Sequence, residues 1–296
     1  MQEFFQQVVA GLADGSIYAS LALALVLIYR ATHVINFAQG EMGMFATYLA
    51  WSLITNHGMS YWPAFAIVLV ISFFGGMLVQ QVVIRPLHRG GELTVVMATV
   101  ALLVILNGLA SWIWGPEEKI LPSPFPNGSW DVGGVQISKQ SVGVITVVLA
   151  CVIVLWLFFQ FTKLGLALRA SAINPNASRL LGVRVPWMLS IGWGFAAILS
   201  AVAGMLAASA QFIFTPGFMQ VTIIYAFAAA ILGGLESPVG AVVGGLMLGV
   251  TINLLGTYFP GQISPDMRLP AALALLLLVL VFRPAGLLGR TVVRRV

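Results

Sequence analysis

The chain has 296 residues, 60% hydrophobic and 8% charged, with a formal net charge of +5. Soluble domains carry about 25% charged residues, so a water-soluble globular protein is excluded. The basic residues lie in short loops between apolar runs, so the charge speaks of orientation in a membrane and not of nucleic acid.

In chain order, apolar runs recur at 4–29, 36–55, 62–84, 94–113, 141–162, 187–212, 219–235, 238–258 and 269–283. Most reach the roughly 20 residues that cross a bilayer, and none alternates as a barrel strand does. They predict an all-α polytopic membrane protein, a single transmembrane domain over 1–296, with about 8–10 transmembrane or re-entrant helices. The first run is too long, and its start too acidic, for a cleaved signal peptide. A break is expected near Gly11 to Gly15, and the 219–258 pair is expected to be partly re-entrant. Cys151, the single cysteine, lies in an apolar run, allows no internal disulfide and points to no metal site.

The Lys and Arg residues sort to alternate ends of the runs. Arg30, Arg85, Arg89, Lys163, Arg169, Arg179, Arg184, Arg283, Arg290, Arg294 and Arg295 share one set of ends; Lys119, Lys139 and Arg268 hold the other. The positive-inside rule makes the first set cytoplasmic, with the N-terminus outside and the C-terminus inside. The tail arginines are expected to meet anionic lipid headgroups. Trp51, Trp62, Trp112, Trp114 and Trp187 fall near span ends, where interfacial aromatics belong.

Two polar loops stand out. The external one, 115–140, reads as an ordered, turn-rich segment. The internal one, 163–186, contains "INPNASRLLGV". Asn174 suits a helix cap, Pro175 a first turn and Gly182 the position just past the end. Ala177, Leu180 and Leu181 give this short helix an apolar side, flanked by Arg179 and Arg184. Such a helix either rests on its own bundle or the membrane surface, or docks a cytoplasmic partner.

The stretch "VINFAQGEMGMFATYLAWSL", from Val34, brings polar groups to the entrance of a span. Asn36 and Gln39 approximate a capping box. At 100° per residue Asn36, Gln39, Gly40, Gly43 and Thr47 share one face, which either lines a pathway or permits close helix contact. Glu41 falls elsewhere. It reads either as a structural group (cap, dipole partner or ion pair with Arg30) or as a pathway or gating group. Glu41 and Glu236 are the intramembrane acid candidates, both near helix ends.

Further along, Gly240, Gly244, Gly245 and Gly249 form overlapping G-x-x-x-G spacings that predict close packing. Ser237 and Pro238 read as cap and first turn of that helix. Asn107 and Asn253 read as interhelical glue ahead of substrate ligands, and Thr222 and Tyr225 as ordinary packing ahead of a pathway face. A weak echo links "SIYASLALAL" with "IIYAFAAAIL" from Ile223. No phosphate-binding loop and no hydrolase motif occurs, so ATP hydrolysis would need separate chains.

"IYASLALALVLIYRATHVINFAQGEMGMFATYLA", "LGLALRASAINPNASRLLGV" and "LGGLESPVGAVVGGLMLG" resemble, in the same order, three motifs of the permease subunits of high-affinity branched-chain amino acid ABC importers. The resemblance runs from about Gly11 to Gly289, with Glu236 standing where the family commonly has Gly. It implies the ABC importer permease fold in a bacterial inner membrane and no catalytic residues or cofactor of its own. It also implies a second related permease, two cytoplasmic ATPase subunits that bind the ATP, and a periplasmic substrate-binding protein. The coupling element would be the short helix after Asn174, with Arg169 upstream. Other amino acids, amides or urea remain alternative substrates, and a stand-alone secondary transporter or channel is the alternative class.

Overall fold

The computed structural model describes residues 2–87, 90–258, 267–283 and 285–289. His88, Arg89, Asp266 and the tail arginines Arg290, Arg294 and Arg295 lie outside the described residues. In order, the elements are α1 (Gln2–Thr32), α2 (Gln39–Thr55), α3 (Tyr61–Val79), a π-helical turn (Gln80–Ile84), α4 (Arg85–Leu87) and α5 (Glu92–Trp114). Then come β1 (Lys119–Ile120), β2 (Ser129–Val132), β3 (Val135–Ser138), α6 (Lys139–Phe161), α7 (Lys163–Ile173), α8 (Pro175–Leu180) and α9 (Val185–Gln211). The chain continues through β4 (Ile213–Phe214), α10 (Met219–Gly233), α11 (Pro238–Tyr258) and α12 (Arg268–Phe282). Among the described residues, 6 helices are long and apolar enough to cross a bilayer. The protein is a multi-pass, all-α membrane protein.

Three features bear on the expectations, the first two as changes and the third in keeping with a partly re-entrant 219–258 pair. First, α1 is one unbroken helix of 31 residues. Gly11 and Gly15 do not break it, because they let α11 approach: a Cβ on Gly11 would lie 2.6 Å from the Val250 backbone, and one on Gly15 2.8 Å from the Gly245 carbonyl. Second, the 115–140 loop carries a β-hairpin. β2 and β3 pair antiparallel, and Gly133 and Gly134 between them both adopt positive φ, 64° and 84°, as a primed two-residue turn demands. Third, α10 has 15 residues, about 22 Å of helix, so it is too short to cross a core of about 30 Å by itself.

The contacts define two ends. β1 pairs with β4, which places the entrance to α10 beside the hairpin loop. At the other end the segment after α12 folds under α10, with the Leu287 and Leu288 amides donating to the Leu232 and Gly233 carbonyls at 2.8 and 3.1 Å. Lys119 and Lys139 sit at the hairpin end; Arg30, Arg169, Arg184 and Arg283 sit at the opposite, loop end. The core between them is small-residue packing of α1, α9, α10 and α11.

α2 starts inside this core. His33, at φ 55°, ends α1 in the left-handed conformation that His tolerates better than most side chains. The chain then turns back. Val34, Asn36 and Ala38 are buried, and the Phe37 amide donates to Thr99 Oγ1 of α5 at 3.4 Å.

Candidate functional site

Two groups of candidate residues are spatially separate. At the loop end, Thr162 Oγ1 accepts from the Gly165 amide at 2.9 Å and starts α7. Asn174 Oδ1 accepts from the Ala177 amide at 3.0 Å and caps α8. Pro175 occupies the first turn, and Gly182 ends the segment at φ 82°, a conformation cheap only for Gly. Within α8 the buried side chain is Ser178. Ala177 and Arg179 are exposed, and Leu180 and Leu181 are 89% and 83% exposed. The apolar side of the short helix therefore does not rest on its own bundle. Arg169 differs from the rest of the expected coupling set: it sits on α7, half-buried, and its Nη1 donates to Gln160 Oε1 at 3.1 Å.

The second group surrounds the start of α2. The N-cap position is Ala38, not Asn36. Asn36 Oδ1 accepts from the Ala38 amide at 3.0 Å, in a local turn one step before the helix. Its Nδ2 donates to Gln39 Oε1 at 2.7 Å. Gln39 does not return a capping bond: its Oε1 takes the Asn36 side chain, and its Nε2 donates to the Ala196 carbonyl at 2.9 Å and to Ser200 Oγ at 2.6 Å on α9. Buried amides of this kind must be paired, and here the pairing fixes α2 on α9.

The rest of the stripe continues that seam. A Cβ on Gly43 would lie 2.5 Å from the Ser200 carbonyl, and one on Gly204 2.7 Å from Thr47 Oγ1. Thr47 satisfies its own hydroxyl by donating to the Gly43 carbonyl at 2.9 Å. Gly40 faces Ile223 of α10. Asn36, Gln39 and Thr47 are wholly buried. The small polar face is thus a helix crossing.

Glu41 points another way. Asn107 Nδ2 donates to its carboxylate at 3.3 Å and to the Pro216 carbonyl at 2.9 Å. One amide on α5 therefore holds both α2 and the turn into α10. The expected ion pair of Glu41 with Arg30 does not form: Arg30 lines a cavity at the loop end. Glu236 is exposed in the turn before α11.

The G-x-x-x-G glycines pack within the chain. Gly240 and Gly244 face Gly233 and Ala229 of α10; Gly245 and Gly249 face Ala19 and Gly11–Gly15 of α1. Ser237 Oγ accepts from the Gly240 amide at 3.0 Å, as a cap should. Asn253 does serve as interhelical glue, and its partner is a third intramembrane acid beside Glu41 and Glu236. Its Nδ2 donates to Asp14 of α1 at 2.8 Å. Asp14 is not among the acids singled out from the sequence, although an acid inside the first apolar run is itself a signal. Beside it Tyr18 and Tyr225, the tyrosines of the two echoing segments, pack with ring centroids 5.0 Å apart and planes tilted by 35°.

The family model described as "Branched-chain amino acid transport system / permease component" matches residues 7–282. The chain is 32% identical to the high-affinity branched-chain amino acid transport system permease protein BraD of Pseudomonas aeruginosa, over 99% of this chain and 98% of that protein. It is 30% identical to the corresponding permease protein LivH of Escherichia coli, again over 99% and 98%. A probable branched-chain amino acid transport permease protein LivH of Methanocaldococcus jannaschii is 30% identical over 91% of this chain and 87% of that protein. With the family model spanning nearly the whole bundle and these identities running end to end, the chain belongs to the permease-component family of branched-chain amino acid transport systems.

Proposed function

We propose that this chain is the membrane-spanning permease subunit of an ATP-driven importer of branched-chain or related hydrophobic amino acids across a bacterial inner membrane. It works beside a second related permease, with two ATPase subunits at the loop end and a substrate-binding protein at the hairpin end. The loop end is cytoplasmic, in line with its basic residues. The chain itself carries no catalytic group, and ATP is bound by its partners.

The observation that carries this reading is α8. It is short, capped at both ends, and turns Leu180 and Leu181 away from the bundle. Exposed leucines flanked by Arg179 and Arg184 form an apolar knob with a basic rim, the kind of surface that inserts into a partner's groove. Asn174, Pro175, Ala177, Arg179, Leu181 and Gly182 make up this element, and Arg169 supports it from α7. Motion of the ATPases reaches α7 and α9 through it. At the hairpin end, the Glu41–Asn107–Pro216 junction is the gate of this proposal, because α2, α5 and the turn into α10 cannot separate without breaking it.

The test is uptake of radiolabelled leucine into proteoliposomes holding the chain with its ATPases and second permease, with and without internal ATP. Ala177→Asp combined with Leu181→Asp should abolish ATP-dependent uptake while the chain still melts normally. Uptake by the chain alone, driven by an ion gradient and indifferent to ATP, would overturn the importer reading in favour of a secondary transporter.

A further inference from the structure

The two echoing segments bring their tyrosines to a polar cluster that neither the gate nor the docking knob uses. Asp14 of α1 accepts from Asn253 of α11 at 2.8 Å. Tyr18, one turn further along α1, packs on Tyr225 of α10. Arg268 opens α12 and reaches across to α11, where a Cβ on Gly256 would lie 3.1 Å from its Nε and 3.2 Å from its Nη2. Gly256 follows Asn253 by about one turn, so α11 holds the acid's partner and the resting place of the guanidinium on neighbouring turns. Asn253 lies about 7.5 Å of helix before Tyr258, the last residue of α11. The cluster is therefore just inside the span at the hairpin end, where substrate arrives.

These groups keep accessible surface: Asp14, Tyr18 and Asn253 are half-buried and Arg268 is exposed. The Arg268 charge acts on Asp14, Tyr18 and Tyr225, yet among the described residues Asp14 and Arg268 form no ion pair. Two features ask for a ligand. Holding α1 to α11 needs only a neutral acceptor for Asn253, and the glycine seam already joins the two helices. An intramembrane acid is costly, and ordinarily faces a charged partner or a polar path. Arg268 stands in the first turn of its helix, where the dipole disfavours a cation and favours an anion. An acid and a base that are near but apart complement a molecule with one charge of each sign. In an α-amino acid the ammonium and the carboxylate share one carbon, so the zwitterion bridges groups that do not touch each other.

We infer that Asp14, Arg268 and the tyrosine pair bind the zwitterionic head of an α-amino acid at the hairpin-end entrance of the chain. Asp14 accepts hydrogen bonds from the α-ammonium, and Arg268 with the start of α12 takes the α-carboxylate. The rings of Tyr18 and Tyr225 cover the aliphatic side chain. The choice of a branched aliphatic amino acid rests on the importer reading; the demand for both charges rests on the cluster.

The test is saturation-transfer NMR on the full-length chain in phosphatidylcholine nanodiscs, which reads weak binding directly. The ligands are leucine, 4-methylpentanoate, which lacks the ammonium, and 3-methylbutylamine, which lacks the carboxylate. The parent should bind leucine about tenfold or more tightly than either analogue, the effect of losing hydrogen bonds to a charged group. Asp14→Asn keeps an acceptor for Asn253, and should erase the preference over 4-methylpentanoate while leaving that over the amine. Arg268→Gln should do the reverse. A misfolded variant would weaken all three ligands alike, so it cannot imitate this crossed pattern, and the parent's preferences test the site by themselves. A parent that does not bind leucine or binds the three alike, or variants that both keep both preferences, would sink the proposal. ATP-driven uptake is a separate measurement. Lost preferences leave the importer reading standing, and uptake indifferent to ATP with the preferences intact would overturn that reading and support this site.

Discussion

α1 and α6 are both long enough to cross a bilayer, and they live in opposite surroundings. In the most apolar window of α1, 78% of residues are buried inside the protein; in that of α6, 17% are. The buried helix is the less greasy of the two. Its middle reads "GLADGSIYASLALAL", whereas α6 reads "VVLACVIVLWLFF". In water the rule runs the other way, because burial there rewards apolar area. In lipid the surroundings are already apolar, so helix association rewards closeness, and closeness needs Gly, Ala and Ser. Side-chain size, not hydrophobicity, marks the inside of this protein.

The largest effect should come from breaking the closeness. A Cβ on Gly245 would sit 2.5 Å from the Ala19 backbone. Gly245→Leu must push α1 off α11, at a cost of about 3 kcal/mol or outright failure to fold. Thermal unfolding of the detergent-purified chain checks this. If the variant melts with the parent, the α1–α11 seam is not what holds the centre.

A smaller loss is expected at the polar part of the same core. Gln39→Ala removes both bonds to α9 and leaves the Ala196 carbonyl and Ser200 Oγ short of a donor. About 1 kcal/mol should be lost, since hydrogen bonds between helices in membranes are individually modest. A matching fall in melting temperature, with Gln39→Glu no better than Ala, would show that the amide donor matters and not the side-chain length.

Much of this was legible beforehand. Asn174, Pro175 and Gly182 announce α8 because caps are local chemistry, written within a few residues. The glycines from Gly240 to Gly249 announce close packing by spacing alone. What sequence could not assign is the neighbour on each face. Asn36 fits a capping box, but Ala196 and Ser200, some 160 positions away, recruit Gln39 first. Glu41 could be paired on paper with Arg30 because both lie near the same turn; in space Asn107 reaches it instead. Asp14 likewise meets its partner far along the chain, since Asn253 is 239 residues distant. The hairpin went unseen because "DVGGVQ" is a strong turn signal only once the flanking residues are allowed to be strands in a membrane protein's loop.

The smallest effects belong to the rim, and they are the most diagnostic. Gly108, on α5, has nothing within 4 Å of where a Cβ would be. Gly108→Ala should leave the chain's melting unchanged or raise its stability by about 0.5 kcal/mol, because it removes a backbone-entropy cost without a clash. Val154 of α6 is 64% exposed, and Val154→Ala should fall within about 0.5 kcal/mol of the parent. These positions are neutral for folding because they touch lipid, or because they touch a chain that folds separately. Transport by the assembled importer separates the two cases. If Gly108→Ala melts normally but loses uptake, α5 is where the second permease packs, and its glycine keeps two chains close as Gly245 keeps two helices close. If uptake is also unchanged, α5 faces lipid and the permease contact lies on another of the exposed faces.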